Sequence, residues 1–203
     1  MPKPTFFNLP KQRQRAIEQA ALEEFAASGY DGSSVNRIVE GSRIAKGSFY
    51  QYFNDKKDLY YHLIDTLGQA KLKVLESVLR DSRDRPFSEN MAELFRQAYV
   101  FADGNPLYFA VGLDFASKQK QFVSDFLDKY RPVALDILGG LLRQARERGE
   151  LRPDLDMALT AAFINTLINH CTIELILTAE NKARRNEVTT EILLFIGRAV
   201  LRP

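Results

Sequence analysis

The stretch SVNRIVEGSRIAKGSFYQYFNDKK, Ser34 to Lys57, decides how this chain is read. Ser33 and Ser34 are N-cap candidates, because a side-chain oxygen there can accept from the first free amides of a helix. The helix they open is short: Val35, Ile38 and Val39 turn inward, and Gly41-Ser42-Arg43 breaks it after about two turns. A second short helix, about Ala45 to Tyr52, follows. At about 100° per residue, Phe49 and Phe53 fall on one side with Ala45, and Ile44 in the turn joins them. The opposite side presents Gly47, Ser48, Tyr50 and Gln51, with Lys46 and Tyr52 on the flanks. A helix this short has no stability of its own. Its two phenyl rings must pin it to its neighbours, leaving the polar side for a partner.

That polar side suits duplex DNA. Two short helices joined by a tight turn can place the second across a major groove while the first buttresses it against the phosphates. Gln51 can pair bidentately with adenine, Ser48 can serve a base edge or a phosphate, and Gly47 admits close backbone approach. Tyr50 and Tyr52 can donate to phosphate oxygens, and Lys46 adds charge. Lys56 lies where the next helix begins, at a dipole end that favours an anion. Asn36 and Arg37 begin the first helix of the pair, within reach of base edges or backbone.

Outward from this core, helical periodicity continues almost everywhere. Ile17, Ala20, Ala21 and Phe25 mark a helix from about Pro10 to Ser28, stopped by Gly29-Tyr-Asp-Gly32. Asn54-Asp55 can cap a helix from Lys56 to about Asp81, roughly 39 Å long, which is too long for a small head and should bridge head and body. Further helices are expected at about Ser88 to Ala102, from Pro106 to about Ala116, over Lys118 to Arg148 with a kink or restart at Pro132, from Asp154 or Asp156 to Thr178, and from Asn186 to Leu201. The class is all-α, about nine helices, with a three-helix helix-turn-helix head on a larger helical body.

Composition closes off other classes. The chain has 203 residues, 45% hydrophobic and 27% charged, which excludes disorder and low-complexity scaffolds. The single Cys171 excludes a disulfide framework, and no apolar run follows Met1-Pro-Lys-Pro4, so a cytoplasmic location is expected. Only 11 glycines and little β-branched alternation argue against a sheet-rich enzyme with phosphate-binding loops. His62 and His170 are the only histidines, and neither stands in metal-ligand spacing with Cys171. With no nucleophile elbow, P-loop or dinucleotide fingerprint, no catalytic residue, metal ligand or cofactor is assigned, and an enzyme is not expected. The net charge of +2 lies wholly before Tyr61, a weak pointer to a polyanion at that end.

The body carries two further signals. The helix from Met157 to Thr178 is apolar on nearly every side, so it must be buried all round or cross a membrane. Asn165, Asn169, His170 and Glu174 interrupt it, which favours packing against a symmetry mate. The last helix offers Val188, Ile192, Ile196, Ala199 and Val200 for the same interface, giving a homodimer through the last two helices. The dense aromatics suggest an apolar effector cavity, for which Phe95, Tyr99, Phe126, Tyr130, Phe163, Thr166 and His170 are candidates. Plain core packing is an equal reading for any one of them.

Gly29-Tyr30, Ser34-Val35, Ile38 and the run Ile44 to Phe53, with Lys56 and Leu59, resemble the TetR family of transcriptional regulators. The resemblance covers about Lys11 to Leu67; beyond it, only the helix layout and Gly149-Glu-Leu-Arg-Pro-Asp154 are similar. It implies a DNA-binding domain over 9–67 and an effector-binding and dimerisation domain over 68–203. It also implies a ligand-responsive repressor released from a palindromic operator by a small, largely apolar effector. By position, Lys46, Gly47, Ser48, Tyr50, Gln51 and Tyr52 would form the recognition helix and Lys56 the phosphate anchor. Ser34, Asn36, Arg37 and Arg43 complete the expected DNA-binding set. The alternative is a helical small-molecule-binding or adaptor protein that binds DNA without sequence preference. The sequence departs from the family at two places. Arg43 stands where the turn usually has glycine, at a cost of about 1 kcal/mol if left-handed, which a phosphate contact could offset. Ala45 stands where Ser or Thr usually caps the helix, losing about 1 kcal/mol.

Overall fold

Most of the described helices begin where a proline or a capping side chain can supply the start. The computed structural model describes residues 1–118, 120–171 and 180–202, with the backbone alone for Leu75, residues 120–128, His170 and Cys171. Among the described residues there are ten helices. They are α1 (Pro4–Phe7), α2 (Lys11–Gly32), α3 (Val35–Ser42), α4 (Lys46–Tyr52), α5 (Lys56–Arg80), α6 (Phe87–Gly104), α7 (Pro106–Ala116), α8 (Lys120–Glu147), α9 (Met157–Cys171) and α10 (Lys182–Val200). One isolated antiparallel bridge joins Leu151 to Leu201. The all-α class holds, and the helix not anticipated from sequence is α1, which opens on Pro4 and buries Phe6 completely.

Ser34 Oγ accepts from Asn36 N–H at 3.2 Å to start α3, and Asp55 Oδ1 accepts from Asp58 N–H at 2.9 Å to start α5. Of the two aspartates expected to open α9, Asp156 does so, accepting from the amides of Ala158 and Leu159. Asn181 Oδ1 accepts from Arg184 N–H, which starts α10 at Lys182, about one turn earlier than the apolar pattern suggested. Pro132 lies inside α8 without ending it. The stretch 172–178 of the expected Met157–Thr178 helix lies outside the described residues.

Two compact units result. The first comprises residues 1–70 and 102–123. Its core is Phe6, Ile17, Ala21, Leu22, Phe25, Ile38, Phe49, Phe53, Leu59, Leu63 and Ile64, closed by Val111 and Phe115 of α7. The division expected after residue 67 left α7 out of the head. Here α7 packs on α2, and the Phe115 ring lies 6.2 Å from that of Tyr60. The second unit comprises residues 71–101 and 124–203, around Val78, Phe87, Met91, Leu94, Leu138, Leu141, Leu142, Leu151, Ile164, Ile192 and Ile196. Within it Glu150 Oε2 accepts from Phe87 N–H at 2.7 Å, so the Gly149–Asp154 stretch helps to start α6. No helix among the described residues is long and apolar enough to cross a membrane.

Candidate nucleic-acid interface

α3 and α4 are held by the turn Arg43-Ile44-Ala45. Arg43 adopts φ 54°, ψ 46°, the one left-handed non-glycine residue among those described. Its amide donates to Glu40 O at 3.1 Å and that of Ile44 to Val39 O at 3.0 Å, which ends α3. A side chain in this conformation costs about 1 kcal/mol. Ala45 opens α4 without a side-chain cap. Contrary to expectation Ala45 is exposed, because the N-cap residue is extended and does not share the helical phase of Phe49. Phe49 and Phe53 are both fully buried, with ring centroids 5.3 Å apart. The pin that the sequence demanded is in place.

The outward side is exposed at Arg43, Lys46, Gly47, Tyr50 and Gln51, and half-buried at Ser48 and Tyr52. A Cβ placed on Gly47 would meet nothing within 4 Å, so a partner's backbone can approach there. Asn36 is exposed beside this face, and Ser34 is half-buried beneath it. The side chains of Asn36, Arg43, Lys46, Ser48, Tyr50 and Gln51 make no hydrogen bond or ion pair with the described residues. They present amide, hydroxyl and cationic groups, the donors and acceptors that read bases and hold phosphates.

Two expected contacts are arranged otherwise. Arg37 clamps Glu24, Nη2 to Oε1 at 2.6 Å and Nε to the same carboxylate at 2.9 Å, and also donates to Gly32 O at 2.7 Å. The Arg37 guanidinium, helped by the Ser34 amide at 2.8 Å, holds the Glu24 carboxyl below its ordinary value against the opposing effect of burial. Lys56, expected to anchor a phosphate, directs its ammonium at three backbone carbonyls: Tyr30 at 2.6 Å, Ser33 at 3.0 Å and Asp31 at 3.4 Å. It also lies 4.7 Å from the centre of the Tyr30 ring. The cause is local. Gly29, at φ 64° and ψ 174°, breaks α2, and the helix ends at Gly32, so the carbonyls of Tyr30 and Asp31 lie in its last turn and that of Ser33 beyond it.

The same break is held from α7 by Asp114, a residue that no spacing in the sequence singles out. Its Oδ2 accepts from Tyr30 N–H at 3.0 Å and from Tyr60 Oη at 2.7 Å. Burial, then the Asp114 carboxylate, pushes the Tyr60 hydroxyl far above its usual pKa. A Cβ on Gly29 would lie 2.8 Å from Asp114 Oδ1, so only glycine fits both the backbone angle and the approach.

The expected effector residues whose side chains are described have different surroundings. Phe95 is buried in the second unit's core, because it follows Met91 by one helical turn on the same face. Tyr99 is half-buried, its hydroxyl bonded to Thr189 Oγ1 and its ring 5.4 Å from the Arg185 guanidinium. Tyr130 lies 5.3 Å from Lys129 Nζ. Phe163 is 70% exposed, because Ala161 and Ile164 take the inward phase of α9. Thr166 is exposed and its hydroxyl donates back to Ala162 O at 2.9 Å. The side chains of Phe126 and His170, and all of Glu174, lie outside the described residues.

Residues 17–63 match the family of bacterial regulatory proteins, tetR family. The fatty acid metabolism regulator protein of Bacillus subtilis is 27% identical over 160 residues, 76% of this chain and 78% of its own. A solved TetR family transcriptional regulator from Chloroflexus aurantiacus shares 27% identity over the full length of both chains, with a TM-score of 0.65. AibR, solved in complex with isovaleryl coenzyme A and operator DNA, shares the fold at 18% identity and a TM-score of 0.64, over 91% of this chain and 97% of its own. With the helix-turn-helix built as described, residues 17–63 match the tetR family, and the likeness to a solved TetR family regulator extends over the whole chain.

Proposed function

We propose that this protein is a homodimeric, effector-responsive transcriptional repressor that reads a palindromic operator through α4. The observation that carries it is the division of α4 into a fully buried Phe49–Phe53 side and an outward polar side with no partner among the described residues. Gln51 is the first base-reading candidate; Tyr50, expected from sequence to donate to phosphate, is exposed beside it and can present the same hydroxyl to a base edge; Lys46 and Arg43 are the phosphate contacts, with Ser48, Tyr52, Asn36 and Ser34 as supporting positions. Arg37 and Lys56 support α3 and α5 from within.

Dimerisation fits the second unit. Leu159 and Phe163 on α9, and Leu194 and Phe195 on α10, are large apolar side chains left 45–70% exposed. An open groove of about 430 Å³ beside them is lined by Leu167, Val188, Ile192 and Phe195. Reading a palindrome requires a dimer that holds its two recognition helices about 34–36 Å apart, one DNA turn. Acyl-coenzyme A thioesters are the first effector class to test, by analogy with the compound AibR holds. The effector must bind the DNA-incompetent form more tightly to release the operator. A regulator rather than an enzyme, acting in the cytoplasm, completes the reading.

The test starts by selecting duplexes from a random pool with the wild-type protein. The double variant Tyr50→Ala, Gln51→Ala should lose about 100-fold or more in preference for the selected duplex, from two lost base contacts, while the dimer stays intact. An unchanged preference would remove α4 from the reading. Equal binding to all duplexes by the wild type would favour an adaptor without operator specificity.

A further inference from the structure

The last turn of α4 sets a bonding problem that α4 does not solve alone. The final four carbonyls of a helix have no partner within it; here they belong to Phe49, Tyr50, Gln51 and Tyr52. Phe53 N–H closes on Phe49 O at 2.9 Å. The other three each receive one donor from the segment before α2. Lys3 Nζ reaches Tyr50 O at 2.8 Å, Thr5 Oγ1 reaches Gln51 O, and Lys3 N–H reaches Tyr52 O at 2.7 Å. Phe6 anchors the segment, its fully buried ring 5.0 Å from Phe53 and 5.3 Å from the His62 imidazole.

We propose that residues 3–6 are a strap that sets the register of the recognition helix, with Lys3 and Thr5 as positioning residues for base reading by Tyr50 and Gln51. The inference rests on α4 being the DNA-reading element. Its force lies in where the donors land, on the carbonyls of the residues whose side chains face outward. Fraying of that turn moves both reading side chains together. At the opposite end Ala45 offers no cap, so the segment 3–6 supplies the side-chain anchoring that the N-terminus of α4 lacks. Residues 3–6 lie outside the 17–63 stretch that matches the family.

Lys3 has φ −74° and ψ 157°, values proline accepts. Lys3→Pro deletes the amide donor and the ammonium donor, and its ring carbon, in place of the hydrogen of an amide 2.7 Å from Tyr52 O, also pushes the segment off α4; Thr5→Val deletes the third donor at nearly constant shape. The double variant should bind the duplex selected by the wild type about tenfold more weakly, because the last turn of α4 is no longer held in its reading register. Binding to a scrambled duplex of equal length should not change. Lys3→Met, which keeps the amide donor, should lose less. An equal fall on both duplexes would overturn the strap and make Lys3 a phosphate contact. A lowered melting temperature with unchanged preference would overturn it in favour of a plain structural clamp. Amide exchange over residues 49–53 reads the strap without DNA: faster exchange in Lys3→Pro is expected, and unchanged exchange overturns the strap. Should the wild type select no duplex, it is the operator reading that fails, and exchange still decides the strap.

Discussion

The basic side chains of the helix-turn-helix divide between two regions. Arg43 and Lys46, in the turn and on α4, stand exposed without a partner among the described residues. Arg37 and Lys56, along the seam that α3 and α5 make with the end of α2, close on Glu24 and on three backbone carbonyls. All four look alike in a sequence, as cations next to a DNA-reading motif. The fold separates them by what lies within reach. The end of α2 leaves carbonyls that a nearby ammonium fills, whereas Arg43 and Lys46 meet no acceptor among the described residues. Position in a motif therefore says less about a cation's partner than the bonding needs of the backbone around it.

Lys56→Met tests the division most severely. Charge-assisted hydrogen bonds contribute about 1.5–3 kcal/mol, and carbonyls left without donors add to the loss. The expected cost is about 2–3 kcal/mol of stability by chemical denaturation, with the salt dependence of DNA binding unchanged in the folded variant. The division breaks if stability holds while the slope of log affinity against log salt falls by about 0.9, the signature of one lost phosphate contact.

What the sequence made legible follows the same line. The inward pair Phe49 and Phe53, the Ser34 cap and the start of α5 are local facts, decided by spacing within one or two turns. α1 was not legible, because four residues show no period and its reason for existing is three carbonyls some 46 residues away. Asp114 was hidden likewise: its role depends on α7 packing against a break 84 residues earlier in the chain. Phe163 misled for a different reason. A helix apolar on every side has no phase to read, and only the packing of Ala161 and Ile164 shows which way α9 faces.

Glu24 sharpens the comparison with a smaller effect. Its carboxyl is held low chiefly by the Arg37 hydrogen bonds, so its contribution is fully present above the ordinary value of 4.5 and is lost as pH falls through the lower folded value. Glu24→Gln should cost about 1–2 kcal/mol at neutral pH and flatten the stability profile on the acid side of 4.5. It should also release Arg37 to the exposed set, steepening the salt slope of DNA binding by up to about 0.9. Denaturation curves across pH together with salt titrations measure both. A profile as steep as the wild type's would show that Arg37 and Glu24 are not coupled in solution.

Arg43→Gly is the mildest substitution and the one whose two readouts run in opposite directions. Glycine relieves the left-handed conformation, so the variant should gain about 1 kcal/mol, less what a freer unfolded chain takes back. Removing an exposed cation from the α3–α4 turn should at the same time weaken operator binding and lower the salt slope by about 0.9. Arg43→Lys would keep the charge and the strain, and so should keep the slope. The left-handed backbone is accounted for by the end of α3, but the arginine side chain there has no hydrogen bond or ion pair among the described residues. If Arg43→Gly raised stability and left DNA binding untouched, the exposed cations would not form a phosphate-contacting set, and the contrast with Arg37 and Lys56 would reduce to one of packing.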